Sequence, residues 1–355
     1  MKILTIIGTR PQFIKSATVS QKIKDSDKLT EVIIHTGQHF EKEMSNIFFN
    51  EMSLPKPNYN LGINKMNHGL MTARMIEKIE PIIINEDPQC ILVYGDTNST
   101  LAGSITAAKL NIPIFHIESG LRSYNRSMPE EINRVITDHL SSLLFCPTET
   151  AINNLSIEGI NKGVVLSGDV MYESFLKFSQ QSGTNKGIQE QLDTNYILAT
   201  IHRQENTDNQ DKLTSIFSNL DIINDTSEIV MPLHPRTNKK IKDYNIQTKI
   251  KILPPQGYLS MLSLLINSQL VITDSGGLQK EAFFAKKKCI TVRSETEWVE
   301  LIDSKTNILT EPKELFKAFS EINNNNNNNE FDNKFFGDGK SSKVIVRSII
   351  DFLNN

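Results

Sequence analysis

The chain alternates short apolar runs with longer amphipathic segments along most of its length. Residues 2–7 form a β-branched run that stops at Gly8, and a helical pattern follows from Phe13 onward. The same succession recurs after the apolar runs 90–94 and 270–273. Strands and helices that alternate at this spacing predict parallel sheets with helices on both faces, which is an α/β fold.

A polar stretch interrupts this alternation and separates two similar halves. It contains QQSGTNKGIQEQ, and the strand–helix pattern restarts after it. A chain of 355 residues is also long for a single core. We therefore predict Rossmann-like domains over 1–170 and 193–340, joined by a linker over 171–192 and facing a central cleft. A C-terminal helix over 341–355 is predicted to reach back to the first domain.

Three further segments lead to specific predictions. The pattern predicts a helix over 41–49, and another over 130–144 that leads into a strand at 144–146. Seven consecutive asparagines over 323–329 cannot pack into a core and predict an exposed loop extension.

Composition excludes several classes of function. The 38 basic and 41 acidic residues give a net charge of -3, so no basic field would attract nucleic acid. The apolar runs fall short of the roughly 20 residues that a membrane-spanning helix needs. The three cysteines are odd in number and lie in apolar surroundings, which favours buried thiols. These observations predict a soluble, cytoplasmic protein that does not bind a membrane.

Three carboxylates stand at the polar ends of apolar or strand-like runs. Asp96 follows ILVYG, Glu118 follows IPIFHI, and Glu130 lies in MPEEINR. Each has a structural explanation, since they could be a helix cap, a solvated loop carboxylate and a first-turn acid, respectively. However, strand ends are where open α/β sheets bind ligands. Together with nearby Arg122 and Arg134, the three acids predict an active site.

Two loops have the features of anion sites. GTRPQFIK places Arg10 and Lys15 around the start of a helix, and it lacks the GxGxxG fingerprint of dinucleotide-binding proteins. A turn with two solvated cations is the alternative. In DSGGLQKE a strand ends, Gly276 and Gly277 allow a phosphate to approach the backbone, and a helix begins.

The same DSGGLQKE loop offers two more candidate residues. Glu281 lies about one turn into the helix, where its carboxylate can accept hydrogen bonds from a ribose diol. Ser275 is the candidate that stands at the turn itself. A plain N-cap by Ser275 or Asp274 is the alternative explanation for this loop.

Two histidines follow strands of the second half. His202 lies in TIHRQEN and His234 in PLHPR. Two histidines at matching strand ends favour a functional role over a structural one. No HExxH or CxxC spacing accompanies them, so no metal site is predicted.

Taken in order, these motifs resemble one known family over nearly the whole chain. GTRPQFIK, VYGDTNSTLAG, HIESGLRS, MPEEINR, TIHRQEN, PLHPR and TDSGGLQKEA are similar to the motifs of the non-hydrolysing UDP-N-acetylglucosamine 2-epimerases. The resemblance implies the GT-B architecture and a homodimer with a UDP-sugar in the cleft. GTRPQFIKS, HTGQHF, LQKEAFF and TEWVEL look nearest to a branch that acts on UDP-2,3-diacetamido-2,3-dideoxyglucuronate. A role in bacterial surface polysaccharide synthesis, such as that of lipopolysaccharide, is implied.

The resemblance also implies roles for individual residues. The catalytic set is Asp96, Glu118, Glu130 and His202. The set that binds the UDP-sugar is Arg10, Lys15, His234, Ser275, Gly276, Gly277 and Glu281, and Arg122 and Arg134 are added to it because they lie beside the acids. The first domain would then supply the acids and the second would bind UDP.

The chemistry of such a reaction fits these residue types. The C2 proton of a 2-acetamido sugar has no adjacent carbonyl, so UDP must leave first, or nearly so, to acidify it. Cations and a helix N-terminus stabilise the leaving UDP, and carboxylates stabilise the cationic sugar and move its protons. No cofactor is required. A hydrolysing 2-epimerase, a GT-B glycosyltransferase and a UDP-sugar-binding protein without turnover are the competing predictions.

Overall fold

The computed structural model describes residues 1–38, 51–52, 54–182, 195–324 and 331–354. The chain divides into two compact units, of which unit 1 comprises Met1–Leu176 with Lys334–Asn355 and unit 2 comprises Lys177–Asn333. Three predicted features lie outside the described residues: the helix over 41–49, the second half of the linker from 183 to 192, and the asparagines 325–329.

Unit 1 contains a seven-stranded sheet in the order β3-β2-β1-β4-β5-β6-β7, and its strand pairs are parallel. The central strands are apolar on both sides because helices cover both faces of a parallel sheet. The strands are β1 Lys2–Ile7, β2 Thr30–His35, β3 Tyr59–Asn60, β4 Cys90–Tyr94, β5 Ile114–Ile117, β6 Leu143–Cys146 and β7 Val164–Leu166. The helices are α1 Arg10–Lys24, α2 His68–Glu86, α3 Asn98–Lys109, α4 Pro129–Leu140, α5 Glu149–Ile157 and α6 Val170–Ser182, whose last turns enter unit 2.

Unit 2 contains a six-stranded parallel sheet in the order β10-β9-β8-β11-β12-β13. Its strands are β8 Ile197–Thr200, β9 Ile229–Pro232, β10 Lys251–Leu253, β11 Leu270–Thr273, β12 Lys288–Thr291 and β13 Asn307–Leu309. Its helices are α7 Gln204–Thr207, α8 Gln210–Asn224, α9 Pro235–Asp243, α10 Tyr258–Asn267, α11 Gly276–Phe284, α12 Val299–Asp303 and α13 Leu315–Asn324. Short 3-10 helices occupy Pro312–Glu314 and Asn333–Phe336.

The chain returns to unit 1 through the helix α14, Ser341–Asn354, which packs on α1. Glu173 caps its first turn by accepting hydrogen bonds from the backbone N–H and hydroxyl of Ser342, at 2.7 and 2.6 Å. Near its end, the ring of Phe352 lies edge-on to Phe115 of β5, with centroids 5.1 Å apart. This helix completes the hydrophobic packing of unit 1.

Several element boundaries differ from those predicted. Helix α1 begins at Arg10 rather than Phe13, because Pro11 fits the first turn of a helix. Helix α4 ends at Leu140, four residues early, since Ser141 is extended and the backbone N–H of Ser142 bonds to the Ile114 carbonyl of the sheet. The first half of the predicted linker is helical in α6.

The topology decides where functional groups meet. Because neighbouring strands are parallel, the loops after β1, β4 and β5 lie at one edge of the unit 1 sheet. The loops after β8, β9, β11 and β12 share the corresponding edge of the unit 2 sheet. Among the helices of the described residues, none has the length and apolar character needed to cross a bilayer.

Candidate active site

The loop after β4 presents Asp96 as an ion-paired carboxylate. Gly95 adopts a φ of +59°, which turns the chain sharply before Asp96. The Oδ2 atom of Asp96 accepts hydrogen bonds from Nη2 and Nε of Arg134, at 2.7 and 3.0 Å. The Asp96 side chain is 27% exposed, whereas that of Arg134 is 3% exposed. The carboxylate is therefore held from the protein side while it stays open to a ligand.

The loop after β5, the strand next to β4, presents Glu118. Glu118 has a φ of +68°, an uncommon conformation for a residue other than glycine and one that costs conformational energy. The backbone N–H groups of Glu118 and Ser119 both bond to the Phe145 carbonyl at 3.1 Å, which fixes this turn. The carboxylate of Glu118 forms a buried ion pair with Lys15 of α1. Two cations of unit 1 thus each hold one predicted catalytic acid.

The side chain of Gln12 joins the loops after β1 and β4. Its amide oxygen accepts from the backbone N–H of Gly8 at 2.7 Å, and its amide nitrogen donates to the Tyr94 carbonyl at 2.8 Å. Arg10, half-buried, begins the helix that carries Gln12. Sequence inspection did not single out Gln12 as functional, since a glutamine in a first turn has no distinctive signal.

The two glutamates at the start of α4 have different surroundings. Glu131 is buried and accepts from the backbone N–H groups of Ser123 and Tyr124, both at 2.9 Å, and from Arg134 at 2.8 Å. Burial acts to raise the pKa of Glu131, but these donors lower it overall. Glu130 is half-buried, and no side-chain partner is found for it among the described residues. Glu131 is the structural acid, and Glu130 remains the predicted catalytic one.

Arg122 lies in the interior of unit 1. It forms a bidentate pair with Glu158, with both N–O distances at 2.7 Å, and donates to Asp138 at 2.7 Å. Its side chain is 1% exposed. These contacts favour a structural role over the predicted contact with substrate, which stays a prediction.

In unit 2, Asp274 organises the loop that carries His202. Its buried carboxylate accepts from the backbone N–H groups of His202 and Arg203, at 3.0 and 2.9 Å, and from the amide of Asn206 at 3.1 Å. The Nδ1 atom of His202 lies 3.3 Å from Asp274 Oδ1. Asp274 was considered from the sequence only as a helix cap, so its role in holding a histidine loop was missed.

The predicted pair of histidines meets at the edge of the unit 2 sheet. The rings of His202 and His234 have centroids 5.4 Å apart. His234 is the N-cap of α9, and its Nδ1 accepts from the backbone N–H of Arg236 at 3.2 Å. Within the part of the chain that the structure describes, no cluster of three metal-ligating side chains is present.

The loop after β11 forms the N-terminus of α11. Ser275 caps this helix by accepting a hydrogen bond from the backbone N–H of Leu278 at 3.3 Å. This is the N-cap that was the alternative explanation for this loop. A Cβ atom on Gly276 would lie 2.7 Å from Glu297 Oε1. The Nη2 atom of Arg203 and the Nη1 atom of Arg293 would lie 3.7 and 3.8 Å from that Cβ. Charged side chains therefore surround Gly276, which adjoins Gly277.

Glu281 lies farther along α11 and is buried. Its Oε1 accepts from the Tyr258 hydroxyl at 2.9 Å. Burial, followed by the charge of Glu281, raises the pKa of Tyr258, so the phenol stays protonated and donates. The carboxylate is thereby kept in a fixed orientation, as a ligand for a sugar diol should be.

Comparison with known proteins assigns most of the chain to one family. A family model described as UDP-N-acetylglucosamine 2-epimerase matches residues 21–350. The chain belongs to the UDP-N-acetylglucosamine 2-epimerase family. Two curated relatives are similar to this chain over nearly its whole length. The UDP-2,3-diacetamido-2,3-dideoxy-D-glucuronate 2-epimerase of Pseudomonas aeruginosa is 48% identical over 349 residues, covering 97% of this chain and 98% of that relative. The UDP-N-acetylglucosamine 2-epimerase of Methanocaldococcus jannaschii is 41% identical over 363 residues, covering 98% of each.

Solved structures of the 2-epimerase family agree with this membership. The Methanocaldococcus jannaschii enzyme in complex with UDP-GlcNAc and UDP superposes with a TM-score of 0.93 at 40% identity, covering 99% of this chain and all of that one. The Neisseria meningitidis enzyme bound to UDP-GlcNAc gives a TM-score of 0.88 at 30% identity, with 99% of this chain and 100% of that chain covered. The predicted family, the α/β class with GT-B architecture and the enzyme class are confirmed. The roles of single residues stay predictions.

Proposed function

We propose that this 2-epimerase interconverts a UDP-2-acetamido sugar and its C2 epimer without hydrolysis. The first substrate to test is the 3-acetamido uronate, UDP-GlcNAc3NAcA, with UDP-ManNAc3NAcA as product. The name of the Pseudomonas aeruginosa relative, 48% identical, supports this choice, whereas a Methanococcus maripaludis relative of the same identity is named a UDP-N-acetylglucosamine 2-epimerase homolog. UDP-GlcNAc, with UDP-ManNAc as product, is the second substrate to test.

One observation in unit 1 carries the proposal. Asp96 and Glu118 follow the adjacent parallel strands β4 and β5, and each carboxylate is paired with a cation of the same unit. A carboxylate held in place by a cation suits a group that stabilises a cationic sugar or accepts a proton. A protein that only bound UDP would have no need of two such acids.

In the forward half-reaction, UDP leaves and a glycal forms. The bond between C1 and the phosphate oxygen breaks, and its electron pair departs with UDP. The resulting positive charge at C1 acidifies the C2 proton, which a carboxylate accepts. The electron pair of the C2–H bond then forms the C1–C2 double bond of a 2-acetamidoglycal. Arg10, His202 and the N-terminus of α11 at Ser275 stabilise the negative charge on the leaving UDP.

The return half-reaction reverses these steps on the other face of the sugar. A protonated acid delivers its proton to C2 from the opposite side, and the phosphate oxygen of UDP attacks C1. Asp96, Glu118 and Glu130 form the set of acids that serves the two faces. The overall change is an isomerisation, so the atoms and electrons balance without a redox group.

Three possible outcomes of one experiment separate the proposal from its alternatives. The enzyme is incubated in heavy water with UDP-GlcNAc3NAcA and, separately, with UDP-GlcNAc, and products are followed by NMR. Deuterium at C2 of a product that retains UDP supports the proposal. Free sugar and UDP would indicate a hydrolysing epimerase. The absence of exchange with both sugars would overturn the proposal and favour a glycosyltransferase or a binding protein.

Variants of the acids test their roles directly. Asp96→Asn and Glu118→Gln are expected to abolish C2 exchange while UDP affinity, measured by calorimetry, stays close to that of the wild type. The exposed residues Asp87 and Glu80 of the same unit offer matched controls in Asp87→Asn and Glu80→Gln. Loss of UDP binding in both active-site variants would contradict the assigned roles.

The proposal extends to assembly and location. Helix α4 exposes Ile132, Ile136 and Leu140, spaced four residues apart on the face opposite its buried residues. An apolar stripe of this kind supports a homodimer, which light scattering tests, and an Ile136→Glu variant should yield monomers. We place the enzyme in the cytoplasm, where it would supply a nucleotide sugar for surface polysaccharide synthesis.

A further inference from the structure

His116 lies in the core of unit 1 with both ring nitrogens engaged. It belongs to β5, and its side chain has no exposed surface. Its Nε2 atom lies 2.8 Å from the Gly95 carbonyl oxygen, and its Nδ1 atom lies 2.7 Å from Asp138 Oδ1. Buried ring nitrogens need hydrogen-bond partners in any case, so the function of His116 depends on which groups those partners are.

The partners decide where the protons are. A carbonyl oxygen only accepts hydrogen bonds, so Nε2 carries a proton and donates it to Gly95. Asp138 Oδ2 also accepts from Arg122 at 2.7 Å and from the backbone N–H of Gly120 at 3.1 Å. Burial acts to raise the pKa of Asp138, but His116 and Arg122 lower it overall. The carboxylate is therefore ionised and accepts hydrogen bonds from the groups around it.

The peptide that His116 holds is the one that leads into the predicted active site. The backbone N–H of Gly95 donates to the carbonyl oxygen of Ile117 at 2.9 Å. The φ of Gly95, +59°, sets the direction of the next residue, Asp96. A Cβ on Gly95 would lie 3.0 Å from Glu118 Oε2 and 3.1 Å from Lys15 Nζ. The Gly95–Asp96 peptide thus leads directly into Asp96 and lies near the Glu118–Lys15 ion pair.

We propose that His116, oriented by Asp138, is a positioning residue that fixes the Gly95–Asp96 peptide and thereby the Asp96 carboxylate. This inference rests on the proposed function and deepens it. His116 acts through the Gly95 carbonyl and does not touch the sugar. A misplacement of a reacting group by about 1 Å can cost about 100-fold in rate, so a hydrogen bond to this turn matters for turnover more than for binding.

Two substitutions of similar size separate this role from a structural one. The side-chain amide of Gln reaches as far as Nε2 of a histidine, so His116→Gln keeps a donor for the Gly95 carbonyl and loses the contact with Asp138. The amide of Asn reaches only as far as Nδ1, so His116→Asn keeps a donor for Asp138 and loses Gly95. A role in holding Asp138 alone predicts that Asn is the better replacement, whereas the positioning role predicts Gln.

The kinetic test compares both variants with the wild-type enzyme in the C2 exchange assay. We expect His116→Asn to lower kcat about 100-fold with little change in KM. His116→Gln should stay within about tenfold of wild type, since it retains the hydrogen bond to Gly95. His139→Gln serves as the control, because His139 is an exposed histidine of the same unit, and it should leave kcat unchanged. Equal losses in Asn and Gln, a loss confined to KM, or a greater loss in Gln would overturn the inference.

A second measurement does not depend on turnover. Crystal structures of the two variants are expected to show the Gly95 carbonyl rotated and the 2.7 Å Asp96–Arg134 contact lengthened in His116→Asn, with both retained in His116→Gln. An unchanged turn in His116→Asn would refute the positioning role whatever the substrate is. If wild-type enzyme lacks C2 exchange while the turn moves as expected, the proposed function fails and the inference about Gly95 stands.

Discussion

Lys15 of α1 and Glu118 of the loop after β5 form a buried ion pair next to Gly95. Their side chains are 10% and 7% exposed, so neither charge is well solvated. The pair therefore has two functions. It keeps Glu118 ionised for the reaction, and each charge neutralises the other inside unit 1.

A double-mutant cycle on this pair should separate stability from catalysis. Glu118→Gln and Lys15→Met each remove one charge of this buried pair, so each should lower the free energy of unfolding by about 3 kcal/mol. The double variant should recover most of that loss, because neither charge remains. Urea unfolding measures stability, and C2 exchange measures activity. Exchange should be absent in the double variant, and its recovery there would show that Glu118 is not a catalytic acid.

The hydrogen-bonded group of His116, Asp138 and Arg122 should make the free energy of unfolding depend on pH under acidic conditions. The pKa of Asp138 is lowered in the folded state, since His116 and Arg122 outweigh the effect of burial. A lowered pKa stabilises the fold above the ordinary value of about 3.9, and this contribution is lost as pH falls through the folded pKa. Asp138→Asn should therefore be about 3–5 kcal/mol less stable than wild type at pH 7. That difference should shrink below about pH 4.

Urea unfolding of both proteins between neutral and acidic pH checks this dependence. If Asp138→Asn does not fold, His116→Gln gives the milder test, since it removes one of the contacts that lower the pKa of Asp138. A stability difference that stays constant with pH would contradict the ionised state of Asp138.

Gly276 should be required for binding and dispensable for folding. An alanine methyl group there would meet the Glu297 carboxylate at 2.7 Å, and this carboxylate is the flexible end of a side chain that can move. Its displacement would disturb the 3.0 Å pair between Glu297 and Arg293 at the start of α11. We expect Gly276→Ala to weaken UDP binding about tenfold, which corresponds to about 1.4 kcal/mol. Calorimetric titration with UDP measures this loss.

Gly69 offers the matched control, because a Cβ on that residue would meet no atom within 4 Å. Gly69→Ala should leave UDP affinity unchanged. Unaltered UDP affinity in Gly276→Ala would show that the N-terminus of α11 is not part of the UDP-binding site.

Removal of the Tyr258 hydroxyl should affect both stability and UDP binding. Tyr258→Phe leaves Oε1 of the buried Glu281 without the donor that it has at 2.9 Å, which should cost about 1–3 kcal/mol in the free energy of unfolding. UDP should bind more weakly, since a loosened carboxylate holds a diol less well. Affinities for UDP and 2′,3′-dideoxy-UDP distinguish the causes, because the variant should lose affinity only for the ligand that has the diol.

The sequence was sufficient to predict most of the strands and their carboxyl ends. Runs such as Leu270–Thr273 are apolar throughout because both faces of a parallel sheet are covered, and their bounds were predicted correctly. A helix start was predicted too late when the first turn contained polar residues, as in α1, which begins at Arg10 rather than Phe13. The helix over α4 was predicted too long because Leu143 and Leu144 of the next strand continue the apolar pattern.

Partners distant in sequence explain what could not be predicted in the site. Arg122 is predicted to contact substrate because it lies beside the acids, whereas its partners Asp138 and Glu158, 16 and 36 residues away, are paired with it by the fold. Asp274 follows a strand like many helix caps, and nothing local indicates that it holds His202. Spacing along the chain predicts which residues share a sheet edge, whereas side-chain partners across elements require the structure.

The division of unit 1 between the two ends of the chain has a consequence for biosynthesis. Residues 1–176 leave the ribosome before unit 2, but α14, which packs on α1 and is capped by Glu173, is translated after it. The inserted unit 2 is continuous in sequence and can fold while unit 1 still lacks its final helix. A nascent chain stalled before residue 334 should therefore protect unit 2 from proteases while leaving α1 open to cleavage.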